Sequence, residues 1–141
     1  MKVVIADDST VVTERITEIL NEIPDLEVSG RARDAKESLR LVGSLDPEVV
    51  ILDLEMPGGG ALDALREIKA GQREIVIIVL TNSVSNPLRD ACVKAGAEFF
   101  LDKSYEIDEL RTILEQVAKN PRRAHHESVS GREGSPRKAA M

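Results

Sequence analysis

The stretch Val49–Pro57, VVILDLEMP, decides the fold of this 141-residue chain. Its first four residues form an uninterrupted apolar run, which is typical of a strand that is buried on both faces inside a parallel sheet. The run ends at one carboxylate, Asp53, and Glu55-Met56-Pro57 then leads the chain out of the sheet. Open α/β sheets bind ligands at the carboxyl ends of their strands. Asp53 is therefore the first candidate for a functional residue.

Four further strands and five helices are predicted from the rest of the pattern. Apolar residues recur at helical spacing between the strands, and the strands alternate with these helices along the chain. Such alternation indicates parallel pairing through right-handed crossovers, so the fold class is α/β, a doubly wound parallel sheet of five strands. The other strands are expected at Lys2–Ala6, Leu26–Ala32, Ile75–Leu80 and Ala97–Leu101, and the expected helix caps are Ser9 or Thr10, Asp34, and Ser85 or Asn86.

The composition limits the domain organisation and the classes of partner. Apolar residues make up 42% of the chain, which suits one domain, expected at residues 1–120. The segment 121–141 has few apolar residues and no periodicity, so we predict a disordered basic tail. The tail carries +3 of a net charge of −6, which leaves −9 on the body. An acidic body with 2% aromatic residues indicates no direct nucleic-acid binding, which needs cationic and stacking groups.

The cysteine count and the N-terminus bear on the compartment. Cys92 is the single cysteine, so no disulfide can form within the chain. The first apolar run is too short for a secretory signal and leads directly into Asp7. No apolar run has the length of a membrane span. We therefore expect a cytoplasmic protein without membrane insertion.

Polar side chains follow four of the five predicted strands where each strand ends. Asp7 and Asp8 follow the first strand, Asp53 the third, Thr81 the fourth and Lys103 the fifth. These ends share one edge of a parallel sheet, and three carboxylates there repel one another unless a cation lies among them. Mg²⁺ binds through carboxylates, water and phosphate oxygens, so the cluster predicts a magnesium-dependent phosphoryl site. Asp53 is the best nucleophile, Thr81 can donate a hydrogen bond to a phosphoryl oxygen, and Lys103 supplies positive charge.

Each of these residues has a simpler interpretation when it is taken alone. The acidic pair could cap the first helix, Thr81 could be an ordinary β-branched strand residue, and Lys103 could be a solvated surface lysine. Their convergence on one sheet edge favours the phosphoryl site. A nucleotide-binding protein of flavodoxin type is disfavoured, because no glycine-rich turn follows the first strand.

These motifs together resemble the receiver domain of two-component response regulators, and the resemblance covers residues 1–120. It implies a flavodoxin-like (βα)5 fold. It also implies a Mg²⁺ site in which Asp8 binds directly, Asp7 binds through water, and Asp53 and the backbone carbonyl of Glu55 complete the protein ligands. Met56-Pro57 matches the Met-Pro that follows the phosphoacceptor in this family.

The resemblance further implies a role in phosphorelay signalling. Asp53 would accept a phosphoryl group from a histidine kinase or a histidine phosphotransfer protein and later lose it by hydrolysis. Thr81 falls at the switch hydroxyl, Lys103 at the phosphate-binding lysine, and Phe100 at the switch aromatic, without the hydroxyl of a tyrosine. An output protein would dock on the face of the fourth helix, fifth strand and fifth helix. No output domain follows on the chain, so we expect a signalling regulator or phosphate shuttle, which is not an enzyme apart from promoting its own phosphorylation and dephosphorylation.

Two functions of other classes stay open at this point. A receiver-like protein-binding module that acts without phosphorylation would have the same fold. A phosphatase of the haloacid dehalogenase type also uses Asp, Thr, Lys and Mg²⁺, but its nucleophile lies in an Asp-x-Asp motif after the first strand. Here Asp7 and Asp8 are adjacent and the lone acid is on the third strand, which disfavours that enzyme.

Overall fold

The structure is a computed structural model that describes residues 1–71 and 74–119. Its strands are β1 (Lys2–Ala6), β2 (Glu27–Ala32), β3 (Val49–Asp53), β4 (Val76–Thr81) and β5 (Phe99–Asp102). Its helices are α1 (Thr10–Asn21), α2 (Ala35–Leu45), α3 (Ala61–Gly71), α4 (Asn86–Ala95) and α5 (Ile107–Lys119). All strand pairs are parallel, in the order β2-β1-β3-β4-β5, which confirms the predicted α/β fold. The predicted tail at 121–141, and residue 120, lie outside the described residues.

The burial of β3 and β4 explains why the run at residues 49–52 is apolar throughout. Every residue of β3 and β4 is buried. Because successive strand residues point to opposite faces, Ile51 packs with α1 and α5, whereas Val50 packs with α2, α3 and α4. Burying each such side chain contributes roughly 1.5–3 kcal/mol, so the sheet is held by helices on both faces.

Three helix starts are fixed by side-chain caps. The N-cap residues Ser9, Asp34 and Ser85 each accept a hydrogen bond from the backbone N–H three residues later. A cap of this kind stabilises a helix by about 1 kcal/mol. The structure therefore selects the serine at both positions where the sequence left two candidates.

The last strand begins later than the sequence predicts. The prediction of Ala97–Leu101 was wrong by two residues at its start, because Gly96 is left-handed (φ 114°) and the N–H of Ala97 donates to the carbonyl of Cys92 at 3.0 Å. These contacts terminate α4, so pairing with β4 starts only at Phe99. Smaller shifts of one residue occur at the start of β2, at both ends of β4 and at the end of β5. As a result, Thr81 closes β4 and Lys103 directly follows β5.

No helix within 1–71 and 74–119 combines the length and the apolar composition that crossing a bilayer needs.

The Cys92 thiol on α4 is fully buried, and this burial raises its pKa to about 11. The thiol is therefore protonated at neutral pH and is not a candidate nucleophile.

Candidate functional site

Three carboxylates meet at the carboxyl edge of the sheet, as the sequence predicts. One oxygen from each of Asp7, Asp8 and Asp53 lies within 4.8 Å of the others. The reason is topological, because β1 and β3 are neighbours in parallel register, with Ala6 opposite Leu52. Asp7 is 5% exposed and Asp53 is 2% exposed, so two of these acids are nearly removed from water.

Lys103, which directly follows β5, supplies the balancing charge. Its Nζ lies 2.8 Å from Oδ2 of Asp7 and 3.2 Å from Oδ2 of Asp53. Its backbone N–H donates to the carbonyl of Thr81 at 2.9 Å, which fixes the start of the loop that carries it. Burial alone would lower the pKa of Lys103, but the hydrogen bond and the charges of Asp7 and Asp53 raise it above its ordinary value. The ammonium is therefore charged at neutral pH and bridges both buried acids.

Asp53 sits in an environment that disfavours its negative charge. Burial is the largest influence and raises its pKa, and the charge of Asp7 acts in the same direction. The backbone N–H of Glu55, which donates to Oδ1 of Asp53 at 3.0 Å, and the ammonium of Lys103 oppose this rise only in part. A carboxylate in such a position gains from any further cation or hydrogen-bond donor.

The oxygen donors fit a small hard cation. Carboxylate oxygens of Asp7, Asp8 and Asp53 converge, and Asp8 is only half-buried, so water can complete the coordination. Mg²⁺ prefers such all-oxygen sites and keeps several waters. The geometry of the described residues is thus compatible with the predicted ion.

The side chain of Glu55 reaches a loop that sequence reasoning did not connect to the site. Its Oε1 accepts from the backbone N–H of Asn82 at 3.1 Å, and its Oε2 accepts from the hydroxyl of Ser83. We call these two hydrogen bonds the Glu55 clasp. The Ser83 bond is the main cause that lowers the pKa of Glu55. The sequence singled out only the backbone carbonyl of Glu55, since nothing in its pattern links residues that are 27 positions apart.

Thr81 and Phe100 lie on paired strands, and both are buried. The Oγ1 of Thr81 accepts from the N–H of Ser83 at 3.1 Å. Phe100 lies opposite Val79 on β4, and the residue is 1% exposed. The guanidinium carbon of Arg89, on α4, lies 5.4 Å from the centre of the Phe100 ring. Phe100 therefore lies inside the protein, and its role as the switch aromatic stays a prediction.

Known proteins resemble this chain in sequence and in fold. Residues 3–115 match the family described as the response regulator receiver domain. The chain is 33% identical over 117 residues to the response regulator GacA of Pseudomonas aeruginosa, covering 83% of this chain and 55% of that protein. It is 37% identical over 135 residues to a protein-glutamate methylesterase/protein-glutamine glutaminase of Pyrococcus horikoshii, covering 87% of this chain and 36% of that protein. The chain thus spans about half the length, or less, of these relatives.

Solved structures agree with the fold. The isolated receiver domain of RcsB from Salmonella enterica serovar Typhimurium, determined with the phosphomimetic BeF3−, superposes with a TM-score of 0.78 at 29% identity. That match covers 85% of this chain and 89% of the other. The response regulator domain of Thermotoga maritima CheB has a TM-score of 0.73 at 22% identity, covers 89% of this chain and 96% of that chain, and supports the fold alone.

The substitution Lys103→Met tests the charge balance at the sheet edge. It leaves Asp7 and Asp53 buried without their counter-charge, and such a loss typically destabilises a fold by about 3–5 kcal/mol. We expect a clear loss in the free energy of unfolding, measured by denaturant titration without Mg²⁺. Added Mg²⁺ should restore part of it, because a cation that binds only the folded state stabilises that state.

The control for this experiment is Lys36→Met, which removes an exposed lysine on α2. It should change the free energy of unfolding by no more than about 0.5 kcal/mol. If Lys103→Met were as stable as this control, the lysine would not be what balances the buried acids.

Proposed function

Because the chain belongs to the response regulator receiver domain family, we propose that it accepts a phosphoryl group on Asp53 from the phosphohistidine of a histidine kinase or histidine phosphotransfer protein. The observation that carries this proposal is the meeting of three carboxylates with one ammonium at a single strand edge. A domain that only bound proteins would gain nothing from two nearly buried acids at this edge, since buried charges cost free energy. The lone cysteine and the acidic body suit signalling in the cytoplasm.

The proposed transfer is a substitution at phosphorus. An oxygen of Asp53 forms a bond to phosphorus while the bond between phosphorus and the imidazole nitrogen of the donor breaks, and the electron pair leaves with that nitrogen. Lys103, which already contacts Oδ2 of Asp53, balances the negative charge that the phosphoryl oxygens bring. Water later attacks the acyl phosphate, which releases inorganic phosphate and returns the Asp53 carboxylate.

A Mg²⁺ ion at this edge would be held by Asp8, Asp53 and the backbone carbonyl of Glu55, with Asp7 acting through water. Bound there, it would neutralise phosphoryl oxygens and orient the group for in-line transfer. Asp7 has a second task in this arrangement, because its Oδ1 accepts from the N–H of Ser9 at 2.8 Å and its Oδ2 holds Lys103. It thereby positions the ammonium beside the phosphoacceptor.

The first test is phosphorylation by a small phosphodonor. Incubation with acetyl phosphate or phosphoramidate and Mg²⁺ should raise the intact mass by one phosphoryl group, and Asp53→Asn should abolish the increase. Asp63→Asn, at an exposed acid on α3, is the matched control and should be phosphorylated like the wild type. An unchanged wild-type mass with these donors and with the cognate kinase would favour the module that acts without phosphorylation.

A surface for the donor protein surrounds this edge. Among the described residues, the exposed large hydrophobic side chains are Val11, Val84 and Tyr105. All three lie in segments that follow the carboxyl ends of strands, namely the start of α1, the β4–α4 loop (residues 82–85) and the β5–α5 loop. Val11 is 77% exposed and Tyr105 is 86% exposed, so both offer apolar area to a partner that brings a phosphohistidine to Asp53.

Substitutions on this surface should separate docking from chemistry. Val11→Ser and Tyr105→Ala should each slow transfer from a phosphorylated donor protein about tenfold, because truncation of an interface anchor commonly costs more than 1 kcal/mol. The rate with acetyl phosphate, which needs no docking, should stay at the wild-type value. Equal slowing with both donors would contradict the assignment, since it would mean that the substitutions damage the site itself.

We further propose that Thr81 and Phe100 form the switch that an output protein reads. The Thr81 hydroxyl would donate to a phosphoryl oxygen on Asp53, a charge-assisted bond worth roughly 1.5–3 kcal/mol. Phe100 packs on the same strand pair and lies under Arg89 of α4, so a shift of β4 reaches α4 through the ring. The face formed by α4, β5 and α5 would then present different shapes to its partner in the two states.

NMR of the Phe100 ring and of the α4 amides tests this switch. Beryllofluoride with Mg²⁺, which mimics the phosphoryl group, should shift these signals in the wild type. In Thr81→Ala the mimic should still bind, but the ring signals should stay unchanged. Thr112→Ala, at an exposed position on α5, should behave like the wild type. Identical shifts in Thr81→Ala and the wild type would place the switch elsewhere.

A further inference from the structure

The Glu55 clasp joins the loop that follows the phosphoacceptor to the loop that follows Thr81. The carboxylate uses both of its oxygens, one on the N–H of Asn82 and one on the hydroxyl of Ser83. We propose that Glu55 is an internal competitor of the phosphoryl group, whose carboxylate, held in place by Ser83, occupies the N–H of Asn82, a donor at the end of β4 that a phosphorylated Asp53 would use. This inference rests on the proposed function, because it concerns the same phosphoryl group.

The first argument is the position of the donors. β3 and β4 are paired, with Asp53 opposite Leu80, so a group that projects from Asp53 beyond the sheet edge meets the residues that follow Leu80. The next backbone N–H beyond Thr81 is that of Asn82, and it donates to Glu55. Phosphoryl oxygens readily accept hydrogen bonds from a free backbone N–H at a strand end. Here the carboxylate of Glu55 already accepts the hydrogen bond from the N–H of Asn82.

The second argument is charge. A phosphoryl group on Asp53 carries about −1.5 to −2 charges at neutral pH, and Glu55 is only two residues away. The ammonium of Lys103 attracts both Asp53 and Glu55. Phosphorylation would therefore place a second, stronger anion beside the same cation and the same donors. Repulsion between the two anions and competition for hydrogen bonds act together to release Glu55.

The third argument is what the clasp restrains. Ser83 donates its N–H to the Oγ1 of Thr81 while its hydroxyl is held by Glu55. Asn82 is also tied from the other side, since its Oδ1 accepts from the hydroxyl of Ser104 at 3.0 Å. The loops after β3, β4 and β5 are thus linked through residues 82 and 83. Release of Glu55 would free the segment between Thr81 and α4, which the proposed switch needs to move.

The experiment compares variants by the rate of phosphoryl uptake from acetyl phosphate at saturating Mg²⁺, followed by intact mass. Glu55→Asp keeps the charge and the backbone carbonyl but shortens the side chain by one methylene, so it cannot hold both donors. Ser83→Ala removes one donor and leaves every acid in place. Each should be phosphorylated about three- to tenfold faster than the wild type, which corresponds to the net worth of one hydrogen bond. Glu67→Gln, at an exposed acid on α3, is the control and should match the wild type.

A second readout does not depend on turnover. In the wild type, beryllofluoride with Mg²⁺ should shift the amide signals of Asn82 and Ser83 strongly, because the N–H of Asn82 changes partner and the Thr81 hydroxyl that accepts from the N–H of Ser83 moves. In Glu55→Asp the two signals should already differ from the wild type before the mimic is added, and they should shift less on addition. The Mg²⁺ concentration that gives half-maximal rate should be the same in Ser83→Ala and the wild type, which separates competition for donors from an effect on the metal.

The outcomes distinguish the two proposals. If the wild type is phosphorylated and both Glu55→Asp and Ser83→Ala are phosphorylated at its rate, the competitor is disproved while the proposed function stands. If either variant is slower than the wild type, the clasp assists phosphorylation and the inference is again wrong. A wild-type chain that takes up no phosphoryl group on Asp53 would overturn the proposed function and this inference with it.

Discussion

The arrangement of charged side chains at the carboxyl edge of the sheet depends on the ion pairs that Lys103 makes with Asp7 and Asp53. Two acids that are almost fully buried cannot stay close without a counter-charge, because a low-dielectric surrounding strengthens their repulsion. The sheet order brings β1, β3, β4 and β5 side by side, so the ammonium of Lys103, directly after β5, reaches Asp7 after β1 and Asp53 at the end of β3 across β4. The apolar sides of the helices cover both faces of the sheet, and Asp7 and Asp53 are buried beside this core, which makes the balance of charge decisive.

The sequence predicts this framework well because its signals are local or topological. An apolar run of four residues can be recognised without any partner, and parallel strands necessarily bring their carboxyl ends to one edge. The convergence of Asp7, Asp8 and Asp53 follows from those two facts alone. The start of β5 could not be predicted in the same way, because it depends on how the Gly96 turn closes α4 against the carbonyl of Cys92.

The contacts between loops lie beyond what a pattern can indicate. The Glu55 clasp joins residues that are 27 and 28 positions apart, and either partner taken alone reads as an ordinary polar surface residue. The same holds for Arg89, whose guanidinium lies over the Phe100 ring although the helical pattern of α4 treats it as a solvent-facing position. Such contacts depend on the distance between strand ends and on rotamers, which are set only when the core has packed. Binding and catalytic residues are often carried on loops, because loops can vary without loss of the core.

The short strand β5 is held by a buried ion pair at each of its ends, so contacts at the amino ends of the strands support the site at their carboxyl ends. Just before it, the carboxylate of Glu98 accepts from the N–H of Ile77 at 2.8 Å and pairs with Nζ of Lys69 at 2.8 Å, and just after it Lys103 pairs with Asp7. A strand of four residues has few ladder hydrogen bonds to define its register, yet a shift by one residue would separate both buried ion pairs at once. Breaking a buried pair leaves an uncompensated charge, which costs several kcal/mol, so the two pairs fix the register of β5 against β4 from opposite ends. The position of Lys103 beside Asp53 is therefore secured in part by Glu98 and by Lys69 of α3, which lie at the opposite ends of the strands.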